Sequence, residues 1–126
     1  MFDELFAKAQ YAIQHGHARP LINNEKKISL YGSYHPLLNT DTAVASDIIL
    51  GEGYTQMVIT GPNTGGKTVA LKTIGLCVLM AQCALYVPAL SGSSTYVFDE
   101  VFADIGDEQS IAQSLKMCIR DRSKRL

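Results

Sequence analysis

The sequence predicts an α/β fold, and three observations carry that expectation. Met57-Val58-Ile59-Thr60 is a run of apolar or β-branched residues that reads as a buried strand. A long apolar stretch from Thr68 to about Leu85 reads as a helix. Short β-prone runs lie on both sides of this pair, at 28–31, 47–50 and 95–98.

The joint between the central strand and helix reads Gly61-Pro62-Asn63-Thr64-Gly65-Gly66-Lys67-Thr68. This fits the spacing G-x-x-x-x-G-K-[ST] of a phosphate-binding loop without a mismatch, in the strand-to-helix setting the motif requires. A polyphosphate carries several negative charges and needs many donors. Gly65 and Gly66 have no Cβ, so the backbone can wrap closely with its N–H groups inward. The N-terminus of the helix adds unpaired N–H groups and the positive end of its dipole. Lys67 can reach the outer phosphates, and the Thr68 hydroxyl can ligate Mg²⁺. The competing reading is a Gly-rich turn that binds nothing, and the Lys-Thr pair speaks against it.

Taken in order, residues 2–14 place Phe2, Leu5, Phe6, Ala9, Ala12 and Ile13 at helical spacing, a single apolar stripe expected to pack on the core or on a partner helix. Gly16 and Pro20 end that helix, and His15 and His17 read as a solvated helix end rather than as metal ligands. Residues 21–27 read as a polar loop, 28–31 as a strand, and 39–46 as a turn-rich connection. A strand at 47–50 and a tight turn at 51–53 lead into the run at 57–60, which predicts a hairpin at the sheet edge. Val87-Pro88 stops the central helix. Gly75 inside it costs roughly 1 kcal/mol against Ala, so close packing on the sheet is expected there. The strand at 95–98 ends in Asp99-Glu100, residues 101–106 continue as strand or loop, and Asp107-Glu108 open a helix to about 115.

Size and composition set outer limits. The 126 residues suffice for one domain with a modest core, and 47% apolar residues speak against wholesale disorder. The N-terminus is acidic where a targeting segment would be basic. Cys77, Cys83 and Cys118 form no C-x-x-C pair and no zinc set, which fits a reducing, cytoplasmic setting. The central run approaches membrane-span length, but Lys72 and the preceding loop favour a buried core helix and no membrane. The net charge of −1 conceals an asymmetry: residues 1–115 hold six basic and eleven acidic residues. That body is no electrostatic platform for nucleic acid. By chemistry alone three readings stay open: an ATP-driven motor or switch domain, a P-loop phosphotransferase, and a module that binds nucleotide without hydrolysis.

The segment from Val58 to Thr68 resembles the phosphate loop of the MutS proteins, in which G-P-N-x-x-G-K-[ST] is characteristic and the Pro62-Asn63 pair is the unusual feature. Tyr34-His35-Pro36-Leu37-Leu38 is similar to the R-H-P-L-L element upstream, with Tyr34 in place of the usual basic residue. The run from Val97 to Ile111 resembles the second bacterial branch, the MutS-two endonuclease proteins, and the likeness covers about residues 1–115. It implies a P-loop NTPase with an incomplete central sheet like that of ABC ATPases, preceded by the end of a helical arm at 1–20, with the N-terminal part of the ATPase domain at 21–115. It implies ATP and Mg²⁺ as cofactors, with Gly61, Pro62, Asn63, Thr64, Gly65, Gly66, Lys67 and Thr68 as the binding residues and Thr68 as the metal ligand. It implies a homodimer that holds ATP between the loop of one subunit and the signature segment of the other. For the longer protein it implies binding of structured or mismatched DNA, an endonuclease domain and a role at collided ribosomes. The magnesium-holding strand of the family lies beyond the signature helix, so Asp99 and Glu100 are given no catalytic role. A truncated fragment of this kind is expected to bind nucleotide weakly and not to turn it over.

After Leu115, where the family's Ser-Thr signature should follow, stands Lys116-Met117-Cys118-Ile119-Arg120-Asp121-Arg122. Reverse translation fits AAG-ATG-TGT-ATA-AGA-GAC-AGN, the end of a transposase-based sequencing adapter. Residues 116–126 are therefore expected to be a non-native tail, to be left out of fold reasoning.

Overall fold

The computed structural model describes residues 1–62, 66–104 and 116–120, with side chains described as far as Ala103. It is a small α/β structure with a mixed sheet. The elements are α1 (Phe2–His15), β1 (Leu21–Ile22), β2 (Ile28–Ser33), β3 (Ser46–Leu50), α2 (Lys67–Gln82), β4 (Ser94–Thr95), β5 (Glu100–Asp104) and β6 (Lys116–Arg120).

Four strands form one sheet in the order β1-β4-β2-β3. β2 pairs antiparallel with β3, Ile28 opposite Leu50 and Leu30 opposite Ile48, with an irregularity between Leu30 and Ser33. Ile28, Leu30 and Ile48 turn one face of this pair inward, and α2 lays Ile74, Cys77, Val78 and Ala81 on that core. The spacing of the α2 residues is that of one helical face. Deleting any of these large aliphatic side chains to Ala would cost about 2–5 kcal/mol by lost burial and the cavity left behind. β4 closes the sheet from the other side, antiparallel to β2 and parallel to β1.

The run 57–60 is not a strand. No strand among the described residues pairs with it, and Met57 and Val58 are exposed, Val58 by 84%. A strand buried in a parallel sheet needs neighbours on both sides to take up its N–H and C=O groups, and none of the described strands offers that ladder. The predicted edge hairpin is corrected accordingly: β3 pairs back onto β2, and the chain after Gly51 leaves the sheet. There the Tyr54 hydroxyl donates to the Ile49 carbonyl at 2.6 Å, and the Gly51 N–H donates to Tyr54 at 3.0 Å.

Residues 21–27, expected to be a loop, contribute β1. Asn23 organises the turn that follows: its Oδ1 accepts from the Glu25 and Lys27 N–H groups, and its Nδ2 donates to the Lys27 carbonyl and to the Ser94 hydroxyl. The strand expected at 95–98 is confined to β4. Phe98 is nonetheless held in place, because Gln82 donates Nε2–H to its carbonyl at 2.9 Å and accepts its N–H at 3.3 Å. One side-chain amide thus supplies both bonds a neighbouring strand would give. β5 pairs antiparallel with β6, Glu100 opposite Arg120 through Asp104 opposite Lys116. The helix expected over 107–115 lies outside the described residues.

α1 runs one residue beyond expectation and ends where Gly16 takes φ 63°. The Gly16 N–H donates to Ile13 and the His17 N–H to Ala12, the pair of bonds that closes a helix with a left-handed residue. Its apolar stripe does not reach this chain's core. Phe2, Phe6 and Ile13 are 84%, 73% and 83% exposed, and Ala12 alone on the helix is buried.

Candidate functional site

The described part of the loop is Gly61, Pro62, Gly66, Lys67 and Thr68; Asn63, Thr64 and Gly65 lie outside the described residues. Gly66 is the N-cap of α2 at φ 79°, a backbone state that a Cβ disfavours, and a Cβ built on it would meet nothing within 4 Å. The same openness holds at Gly61, φ 147°. α2 begins at Lys67, and its ladder opens with the Ala70 N–H donating to the Gly66 carbonyl at 2.9 Å. The N–H groups of the first turn therefore have no acceptor within the helix. No acidic residue stands in that turn to compete with an incoming anion.

The Lys67 ammonium donates to the Gly61 carbonyl, which brings the two ends of the loop together. Lys67 and Thr68 are both half-buried at the same helix end. An ammonium, a hydroxyl and the positive end of a helix dipole thus converge on a space bordered by two glycines. This donor set suits an anion rather than a cation. Among the described residues no group of three or more His, Cys, Asp or Glu stands ready to hold a metal ion. Thr68 as a magnesium ligand accordingly needs phosphate oxygens and water to complete the shell.

Asp99 and Glu100 are exposed at the start of β5, with no catalytic arrangement around them among the described residues. The 34–38 element folds back on itself: His35 accepts the Leu37 N–H through Nδ1 at 3.3 Å and the Leu38 N–H through its carbonyl at 3.0 Å. Pro36 and Leu37 join Tyr11, Leu76, Met80 and Leu85 around an apolar hollow of about 330 Å³. That hollow borders the C-terminal half of α2, whereas the loop stands at its N-terminal end. Sequence reasoning had no signal for it, since its walls come from three separated segments.

With that geometry in view, similarity to known proteins is informative. Residues 57–119 match the family described as MutS domain V. The chain belongs to the MutS domain V family. Its relatives place it on the MutS2 side of the family. It is 58% identical over 114 residues to an Endonuclease MutS2 of Geobacillus thermodenitrificans, and 58% identical over 113 residues to one of a Geobacillus species. It is 54% identical over 113 residues to the Endonuclease MutS2 of Bacillus cytotoxicus. In each comparison the match covers 90% of this chain and 14% of the relative, so the chain spans about a seventh of the length of these proteins. The family match begins at the expected strand and takes in the whole loop at 61–68. No helix among the described residues is long and apolar enough to cross a membrane.

Proposed function

We propose that this chain is the nucleotide-binding part of a MutS2-like ATPase of the P-loop, ABC-like fold. The observation that carries the reading is the pairing of Gly61 with Lys67 across the mouth of α2, with Thr68 and the N–H groups of the helix's first turn beside it. ATP places its phosphates against the loop from Gly61 to Thr68, with Asn63, Thr64 and Gly65 supplying further backbone donors. Lys67 neutralises the outer phosphates. Thr68 holds Mg²⁺, which supplies charge neutralisation across the phosphate oxygens when bound.

The chain alone is a binder and not a catalyst in this reading. Run 57–60 is not clamped in a sheet, so the loop lacks the rigid base that preorganised electrostatic stabilisation needs. The longer protein, by likeness to Endonuclease MutS2, is a homodimeric cytoplasmic ATPase that acts on structured or mismatched DNA, with nuclease and ribosome-associated roles. Residues 116–126 are a non-native tail, which sequencing an independent DNA isolate across codon 116 tests: an unchanged basic tail overturns it.

Calorimetry tests the binding claim. Magnesium-dependent ATP uptake by the chain is expected to be weak and to fall at least about tenfold in Lys67→Ala, as loss of a charge-assisted contact of 1.5–3 kcal/mol implies. Uptake unaffected by Lys67→Ala, or hydrolysis that Lys67→Ala abolishes, would sink the corresponding half of the proposal. A nucleotide-binding module without hydrolysis in the full-length protein is the second reading; phosphate release by the intact protein separates the two.

A further inference from the structure

The junction between α1 and the sheet is built around one imidazole. α1 is tied to the body of the protein by a few contacts. The Lys8 ammonium donates to the Cys83 carbonyl at 2.9 Å, and the Tyr34 hydroxyl donates to the His15 carbonyl at 3.2 Å. Just past the helix, Ala18 and Val87 form an antiparallel bridge. Between these ties the left-handed turn at Gly16 throws His17 back under the helix, where it is 8% exposed.

His17 sits inside a cluster of rings. Tyr11 is 5.3 Å away edge-on, His15 is 5.6 Å away, and Tyr34 is 6.3 Å away. Its Nδ1 is buried without any partner. The charged ring carries an N–H at both nitrogens, and the one at Nδ1 would be a buried donor with no acceptor, a costly state away from water.

We propose that His17 is an acid-released pin: as the neutral ring it seats the end of α1 against the sheet, and on protonation it leaves that seat and lets α1 swing free. The groups that face it are Tyr11 and His15 from α1, Tyr34 from the segment after β2, Cys77 from α2 beside Tyr34, and Tyr86 from the segment after α2. None of these is a carboxylate, so none offers the imidazolium a counter-charge. Burial, and then the charge of His15, hold the His17 pKa below its ordinary value of 6.5. The sign follows. The released state binds the proton at the ordinary value and the seated state only at a lower one, so docking is full above 6.5 and weakens as the pH falls from there to the seated value. The weakening reaches at most about tenfold per pH unit, the limit for one linked proton. Because α1 is otherwise exposed, nothing else in the described structure need unfold when it leaves.

The test is an imidazole ¹⁵N titration of the full chain, with amide protection in α1 and in α2 followed between about pH 7.5 and pH 5, on either side of the ordinary imidazole value. His17 is expected to titrate below the ordinary imidazole value of 6.5. Protection of α1 and the contact between the His17 and Tyr34 rings are expected to fall together, while protection of α2 persists. His17→Phe, which keeps a ring and cannot titrate, is expected to remove the response. His15→Gln is expected to shrink it by raising the seated value. An α1 whose protection does not change across that range overturns the proposal without any variant, as does a response that His17→Phe leaves intact.

Discussion

Cys77 shows how one position's surroundings decide its chemistry. The side chain is fully buried on the core face of α2, and burial pushes the thiol pKa up to about 12. A thiol with so little thiolate at neutral pH is inert to alkylation while the fold is intact. Cys83, just past the helix end, is exposed. In a Cys118→Ser background, maleimide at pH 7 is therefore expected to modify Cys83 rapidly and Cys77 only after denaturant is added. Equal labelling of both in the native protein, read by mass spectrometry, would contradict the packing described for α2. Gln82 makes the same point with hydrogen bonds. Gln82→Leu would leave the N–H and C=O of buried Phe98 without partners and is expected to cost about 1–3 kcal/mol in urea unfolding. A loss no larger than that of an exposed substitution would show that water takes over both bonds.

At the scale of elements, the two helices end by the same device with different residues in the critical place. After α1 the left-handed position is Gly16, φ 63°; after α2 it is Ala84, φ 57°. In both, the residue that follows donates back five positions, His17 to Ala12 and Leu85 to Met80. A Cβ in that conformation costs of order 1 kcal/mol. Gly16→Ala is thus expected to destabilise by about 1 kcal/mol. Ala84→Gly, at an exposed site, is expected to stabilise by about 0.5–1 kcal/mol, the relief of strain exceeding the added freedom of the unfolded chain. Thermal midpoints moving the other way would mean that Cβ contacts outweigh backbone strain. The end of α1 was legible from Gly16 and Pro20. The end of α2 was placed three residues late, because no glycine marks it and Ala84 is itself a good helix former; the helix stops there to let Val87 and Ala89 reach the core.

For the whole molecule, the balance of apolar surface is the governing fact. Phe2, Leu5, Phe6 and Ile13 form an exposed stripe, and Val58 and Phe102 add to the uncovered area. Covering one such side chain is worth about 1.5–3 kcal/mol, and soluble monomers seldom leave contiguous patches of this kind open. The chain is expected to self-associate as concentration rises, and Phe6→Lys is expected to reduce that association. Sedimentation as a single monomer at every concentration, with a sharp thermal transition, would run against it. This stripe was visible in the spacing of the sequence; that it stays uncovered by this chain's core was not.

What the residues determined by themselves is local. The periodicity of residues 2–14, the apolar run of α2, the β-prone runs of β2 and β3, and the loop motif all depend on neighbours in sequence, and the two helices and these strands form within a few residues of where the sequence put them. What only the tertiary structure decided is partnership. Residues 57–60 have strand-like composition yet no strand beside them, β1 finds β4 more than seventy residues away, and Gln82 serves Phe98 across a turn. A strand is completed by hydrogen bonds from another segment, and a buried ring by the groups that close around it. Neither is encoded at the position itself, because burial and pairing are properties of the assembled chain.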